Sequence, residues 1–223
     1  MCGIIGVYLK RITAEQIQQI AKLILQSGIR GIHATGISYV KNNEIHTISE
    51  HKSSSKFLID KKIEDYTDNG NLHLIGHTRY STSDLKYNQP IGDNNMTISH
   101  NGVISQENPE LWNNIYNLET KTTNDSELIF ASLKANQDPL TLGGSMAVCV
   151  LSNNKLIAFR NHERPLWRCE LPNGIVFAST KDILMRSGFD KPKKCDMFTK
   201  YEYEDKLNII KQKSNDIEDL QNG

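Results

Sequence analysis

Apolar runs of strand length recur along most of this 223-residue chain, and three of the gaps between them carry asparagine dipeptides suited to tight turns. Residues 3–9 read as a buried strand, 36–40 and 44–49 flank Asn42-Asn43 as a hairpin, and 72–78 read as a further strand. Residues 96–100 and 103–104 straddle Asn101-Gly102, a dipeptide that favours positive φ and predicts a tight turn there. Residues 145–151 pair with 155–159 across Asn153-Asn154, and 174–179 add another strand. Helical periodicity is interleaved with these. Thr13 and Gln16 make a capping-box start for a helix with Ile17, Ile20, Ala21 and Ile24 on one face, stopping near Gly28. A second helix begins near Asp125 with Leu128, Ala131, Ser132 and Ala135 on one face, and Thr180 caps a short helix over 181–187. Strands outnumber helices and both recur throughout, which argues for an α+β fold of packed sheets covered by helices.

The length suits one well-cored domain, expected over residues 2–205, and no composition break suggests two. The tail 206–223 is polar, with scattered Leu207, Ile210, Ile217 and Leu220, and reads as a docking helix or a frayed end, fraying being the expectation. With 26 basic and 26 acidic residues the net charge is zero, so there is no electrostatic footprint for nucleic acid or an anionic membrane. Small neutral or zwitterionic ligands fit better. The four cysteines, Cys2, Cys149, Cys169 and Cys195, form no CxxC pair and no metal-ligand spacing, so free thiols and no metal are expected. The early apolar stretch at 4–9 is too short for a signal peptide and precedes Lys10-Arg11, which points to the cytoplasm. No run approaches the ~20 apolar residues of a membrane span.

Removing the initiator methionine would leave Cys2 with a thiol and a free α-amine on one residue. An ordinary α-amine titrates at about 7.7–8.0 and a thiol at about 8.5, so such an amine can take the thiol proton at neutral pH without a histidine. On the dipeptide alone, the favoured reading of Cys2 is an incidental small residue after the start. The motifs that follow change this: Met1-Cys2-Gly3-Ile4-Ile5-Gly6, Arg30-Gly31-Ile32-His33-Ala34-Thr35-Gly36-Ile37, Gly76-His77-Thr78-Arg79-Tyr80-Ser81-Thr82, His100-Asn101-Gly102-Val103-Ile104 and Asn124-Asp125-Ser126-Glu127. In that order they resemble the glutaminase domain of class II glutamine amidotransferases of the glucosamine-6-phosphate synthase and amidophosphoribosyltransferase type. These are N-terminal nucleophile hydrolases. Gly144-Ser145-Met146-Ala147-Val148, Arg160-Asn161-His162-Glu163-Arg164-Pro165-Leu166 and Phe177-Ala178-Ser179-Thr180 resemble that domain's closing strands.

The resemblance implies a four-layer αββα sandwich and a glutaminase that converts L-glutamine to L-glutamate and ammonia through a Cys2 thioester. Cys2 is the implied nucleophile, with its own amine as base. Asn101 through its side-chain amide and Gly102 through its backbone N–H are the implied oxyanion donors. Arg79 and Asp125 match the positions that hold the α-carboxylate and α-ammonium, with Thr82 and Gly102 assisting. Arg30 is expected to support the N-terminal cysteine. Read without the resemblance, Asn101-Gly102 is a hairpin turn, Arg79 a structural ion-pair partner and Asp125 a helix cap.

The chain departs from the family pattern at His33, where an aspartate is usual, at Tyr80, where tryptophan is frequent, and at Ser83-Asp84, where His-Gly is common. The last two changes fall in the loop expected to close over glutamine. His33 is assigned no chemistry. No phosphate-binding glycine loop, phosphosugar-isomerase-like segment or ATP signature follows Gly188, so the acceptor step is expected on another polypeptide, on a missing part of a longer protein, or nowhere, with a separate synthase or transferase subunit that receives the ammonia as the leading expectation. No metal or organic cofactor is implied. The competing readings are an N-terminal nucleophile amidase for another amide, which Arg79 with Asp125 opposes, and a catalytically silent glutamine-binding sensor or scaffold.

Overall fold

Two antiparallel sheets lie face to face with helices on both outer faces in the computed structural model of the chain, whose described residues are 1–81, 87–161 and 163–212. In chain order the strands are β1 (Gly3–Leu9), β2 (Ala34–Lys41), β3 (Glu44–Glu50), β4 (Leu72–Arg79), β5 (Ile91–Gly92), β6 (Met96–Val103) and β7 (Ser145–Ser152). Then follow β8 (Leu156–Arg160), β9 (Trp167–Leu171), β10 (Gly174–Ala178), β11 (Lys193–Lys194), β12 (Thr199–Tyr203) and β13 (Leu207–Lys211). The helices are α1 (Ala14–Ser27), α2 (Ser54–Phe57), α3 (Trp112–Tyr116), α4 (Ser126–Lys134) and α5 (Lys181–Arg186). Among the described residues the first sheet runs β11-β9-β10-β1-β4-β2-β3 and the second β13-β12-β8-β7-β6-β5. No described helix is long and apolar enough to cross a membrane.

Side-chain alternation along the strands sorts the core into layers. From β1, Ile5, Val7 and Leu9 pack under Ile20, Leu23 and Ile24 of α1 and Ile183 and Leu184 of α5. Ile4 and Tyr8 of the same strand point the other way, against Ala147, Cys149 and Leu151 of β7. The far face of the second sheet, with Ile98, Met146, Val148 and Val150, is covered by Leu128 and Ile129 of α4 and by Trp112. The result is the αββα sandwich expected from the resemblance. β1 is buried along its whole length because both of its faces are covered, which is why it reads as an unbroken apolar run.

The local signals that need only near neighbours are met. Thr13 Oγ1 accepts from the Gln16 N–H at 3.2 Å and Gln16 Oε1 from the Thr13 N–H at 3.1 Å, closing the capping box. Asn42 and Asn43 both lie in the left-handed region, at φ 54° and 61°, and close the β2–β3 hairpin. β7 and β8 pair across Asn153-Asn154, and the Thr180 hydroxyl caps α5.

Two expectations are corrected. Asn101-Gly102 is not a turn: β6 runs straight through it, with Asn101 opposite Ala147 and Gly102 opposite Met146, and neither residue has positive φ. The ladder with the distant strand β7 outweighs the preference of the dipeptide. The start of the tail does not fray either. Leu207–Lys211 pairs with Thr199–Tyr203 and forms the edge of the second sheet, while 213–223 lie outside the described residues.

Thr13→Ala removes one half of the capping box and is expected to cost about 1 kcal/mol. A lower midpoint in urea unfolding with an unchanged slope is the measurement that checks it.

Candidate functional site

The thiol of Cys2 stands at the open end of the gap between the sheets, because β1 starts at the next residue and alternation puts Cys2 on the same face as Ile4. Gly3 makes this entry possible. A Cβ there would come within 2.5 Å of Thr78 Oγ1 and 2.6 Å of the Ser27 carbonyl, so only glycine lets the strand lie so deep. Arg30, at the end of the 3-10 turn Gly28–Arg30, donates from Nε to the Cys2 carbonyl at 2.8 Å and fixes the backbone of the cysteine. Burial pulls the Arg30 guanidinium below its ordinary value, with Cys2 acting against that shift and Arg164 adding to it.

From the opposite sheet comes Asn101. The Cys2 N–H donates to Asn101 Oδ1 at 3.1 Å. This atom is the peptide nitrogen of the Met1–Cys2 bond, and it stands where the α-amine would be after removal of Met1. The other end of the same amide, Asn101 Nδ2, is buried and has no hydrogen-bond partner among the described residues. N–H groups along a strand alternate in direction. The Gly102 N–H is therefore turned away from β7, to the side on which the His100 N–H donates to Gln89 Oε1 at 2.6 Å. Gly102 has room for nothing larger, since a Cβ would strike the Ser145 carbonyl and approach His100 Nε2 to 2.6 Å.

The motif 124–127 places a different group at each position. Asn124 Oδ1 accepts from the Ser126 N–H at 3.1 Å, and Glu127 accepts from the N–H groups of Lys121 and Thr122 at 2.8 and 2.7 Å, bracing the preceding loop. Asp125 makes no side-chain cap to α4. Its Oδ2 accepts from Ile104 N–H at 2.6 Å and Ser105 N–H at 3.3 Å, so the carboxylate is held against the chain leaving β6. Arg79, the last residue of β4, donates from Nη1 to the Tyr87 carbonyl and, at 3.0 Å, to Asn88 Oδ1. Cys2, Arg79, Gly102 and Asp125 all line one cavity of about 420 Å3, together with His77 and Trp112. Thr82, Ser83 and Asp84 lie outside the described residues. His33 has a structural job: its Nδ1 accepts from the Ser81 N–H at 2.9 Å while its ring tilts against Tyr80 at 5.0 Å.

Sequence reasoning missed the support beneath the cavity. His100 Nε2 lies 3.2 Å from the Ser145 carbonyl, which can only accept, so Nε2 carries the proton and Nδ1 accepts from Ser126 Oγ at 2.8 Å. Gln89 Nε2 then donates to Ser126 Oγ at 3.1 Å, closing a ring of neutral hydrogen bonds with the His100 backbone. Burial lowers the His100 pKa, in keeping with a neutral ring. No local pattern marks Gln89, because its partners come from other elements. On the far side Asn161 accepts from the Met146 N–H at 3.0 Å and donates to the Gly144 carbonyl at 2.7 Å, tying down the start of β7.

No family model matches the sequence, and no curated protein matches it. Solved structures do. The glutamine phosphoribosylpyrophosphate amidotransferase from B. subtilis aligns over 96% of this chain and 50% of its own length at a TM-score of 0.75 and 17% identity. A structure described as the allosteric regulatory enzyme of purine biosynthesis gives 0.76 and 18% over the same shares. A glutamine aminotransferase class-II domain protein from Silicibacter pomeroyi aligns over 94% of this chain and 98% of its own at 0.59 and 10%. The fold is that of these proteins. The chain spans about half the length of the first two.

The other three cysteines are buried, and burial pushes Cys169 up to about 11, Cys195 up to about 12 and Cys149 higher still. They stay protonated and shielded at neutral pH. Iodoacetamide is therefore expected to modify Cys2 alone in the folded protein, and all four after unfolding, as read by peptide mass mapping.

Proposed function

We propose that this chain is a glutaminase of the glutamine amidotransferase kind, hydrolysing L-glutamine to L-glutamate and ammonia at Cys2. The observation that carries the reading is the meeting of Cys2 N with Asn101 Oδ1 at 3.1 Å, at a cavity that also holds Arg79 and Asp125. With Met1 removed, the α-amine takes the thiol proton and the thiolate attacks the carboxamide carbon. Asn101 Oδ1 steadies the amine while Asn101 Nδ2 and the Gly102 N–H meet the developing oxyanion. The amine returns its proton to the departing nitrogen, ammonia leaves, and water then resolves the glutamyl thioester. Arg79 takes the α-carboxylate with help from Thr82, and Asp125 takes the α-ammonium, with the glycine backbone at 102 leaving room for the substrate. Arg30 acts through the Cys2 carbonyl as a positioning residue.

Ammonia produced here passes to an acceptor on a separate synthase or transferase partner. Free cysteines fit a reducing compartment, and the cytoplasm is the proposed location. No cofactor takes part in the proposed steps.

Processed protein is expected to release glutamate from glutamine, and Cys2→Ala to release none. A protein that binds glutamine in calorimetry but releases no glutamate, with intact mass showing a free Cys2, would move the reading to a silent sensor. Asn101→Asp keeps an acceptor for the amine and removes the oxyanion donor. It is expected to lower kcat by at least about 100-fold with a much smaller change in glutamine affinity.

A further inference from the structure

Between the sheets, the layer next to the Cys2 cavity is polar where the rest is apolar. Thr97, Ser99 and Asn101 of β6 lie opposite Leu151, Cys149 and Ala147, and those three residues face the first sheet. Directly opposed residues share a face, so Thr97, Ser99 and Asn101 also look into the gap. From the first sheet His77 pairs with Ile4, which faces the second. All four are buried, at 3% exposure or less. Each nevertheless carries a polar atom without a hydrogen-bond partner among the described residues: His77 Nε2, Thr97 Oγ1, Ser99 Oγ and Asn101 Nδ2.

One orphaned hydroxyl in a core is an exception; four orphaned atoms in one layer are a pattern. Buried polar groups nearly always find a partner, either protein or ordered water, because leaving one unpaired costs as much as a lost hydrogen bond. The three positions on β6 span about 13 Å of strand. Their chemistry is complementary to water. Burial holds the His77 pKa down at about 3, so the ring is neutral and its Nε2 accepts or donates according to the tautomer. Asn101 Nδ2 donates, and the two hydroxyls do either. Of the four residues, His77 lines the same cavity as Cys2, so the layer borders that cavity at His77.

We propose that ordered water fills this seam and that the seam supplies the water which hydrolyses the glutamyl thioester. The hydrolytic role rests on the glutaminase reading. In the acyl-enzyme the glutamyl chain runs from Cys2 toward Arg79 and Asp125, so water already in the seam meets the carbonyl carbon more readily than water from bulk. The water oxygen bonds to that carbon, the C–S bond breaks with its electron pair going to sulfur, and the water proton passes to the Cys2 α-amine. The products are glutamate and free Cys2.

The test compares wild type with Thr97→Val combined with Ser99→Ala, changes that preserve shape and remove both hydroxyls. Glutamate release is measured in water alone, and hydroxamate formation with hydroxylamine, a strong nucleophile supplied from bulk at high concentration. The seam predicts that glutamate release falls about tenfold, the order of one lost hydrogen bond to a positioned water. It also predicts that glutamyl thioester accumulates in intact mass and that hydroxamate formation is unchanged. Thr97→Ser, which keeps the hydroxyl, should behave as wild type. An equal fall in both products means a damaged site and overturns the proposal, as does unchanged glutamate release. Wild type that neither releases ammonia nor forms a thioester overturns the glutaminase reading and the hydrolytic role together.

Discussion

The hydrogen bond between Cys2 N and Asn101 Oδ1 joins residues 99 apart and crosses from one sheet to the other. It exists only while β1 and β6 face each other in a single register. A one-residue slip of β1 against β4 would turn Cys2 toward the helix-covered face and Gly3 into the gap. The apolar layer built from Ile4, Tyr8, Ala147, Cys149 and Leu151 makes that slip unfavourable, because it would exchange packed side chains for their neighbours from the outer layer. Placement of Cys2 is thus a consequence of sheet-on-sheet packing rather than of anything in the first six residues.

Close approach is the second condition. Gly3 lets β1 press against Ser27 and Thr78, and Gly102 lets β6 press against Ser145 and His100. Both glycines stand beside a residue of the proposed machinery, where a side chain would push the backbone away from its counterpart. Neither needs an unusual φ, so what is required of them is absence of volume.

The ground beneath the cavity is kept neutral. His100, Gln89 and Ser126 satisfy one another without a formal charge, and burial lowers the pKa of both His77 and His100. Charge stands in the cavity lining, with Arg79, Glu107 and Asp125, and in Arg30 behind the cysteine and Arg164, which donates to Ser145 Oγ at 3.0 Å. In the proposed function a zwitterionic ligand would meet fixed charges of both signs there while the reacting carbon would meet dipoles, the arrangement that suits attack on an amide.

Local signals were legible wherever the partner lay within a few residues: the Thr13–Gln16 capping box, the Asn42-Asn43 hairpin and the Thr180 cap depend on nearest neighbours and appear as read. The order of the motifs was also legible, and it pointed to the sandwich. The same local logic misread Asn101-Gly102 as a turn, since the strand partner that straightens it is β7, brought in by folding. It misread the start of the tail because Leu207–Lys211 has no clear period of its own and is a strand only by pairing with β12. Gln89 and the seam of Thr97, Ser99 and His77 carried no signal at all, because a polar residue is marked as buried only by what covers it. The sequence by itself determined which residue types are available to the site and the order in which they occur. Tertiary structure alone decided which of them meet, because hydrogen bonds and burial depend on distance in space, and only the packing of the two sheets brings residues 2, 77, 79, 102 and 125 to one cavity and Asn101 against Cys2.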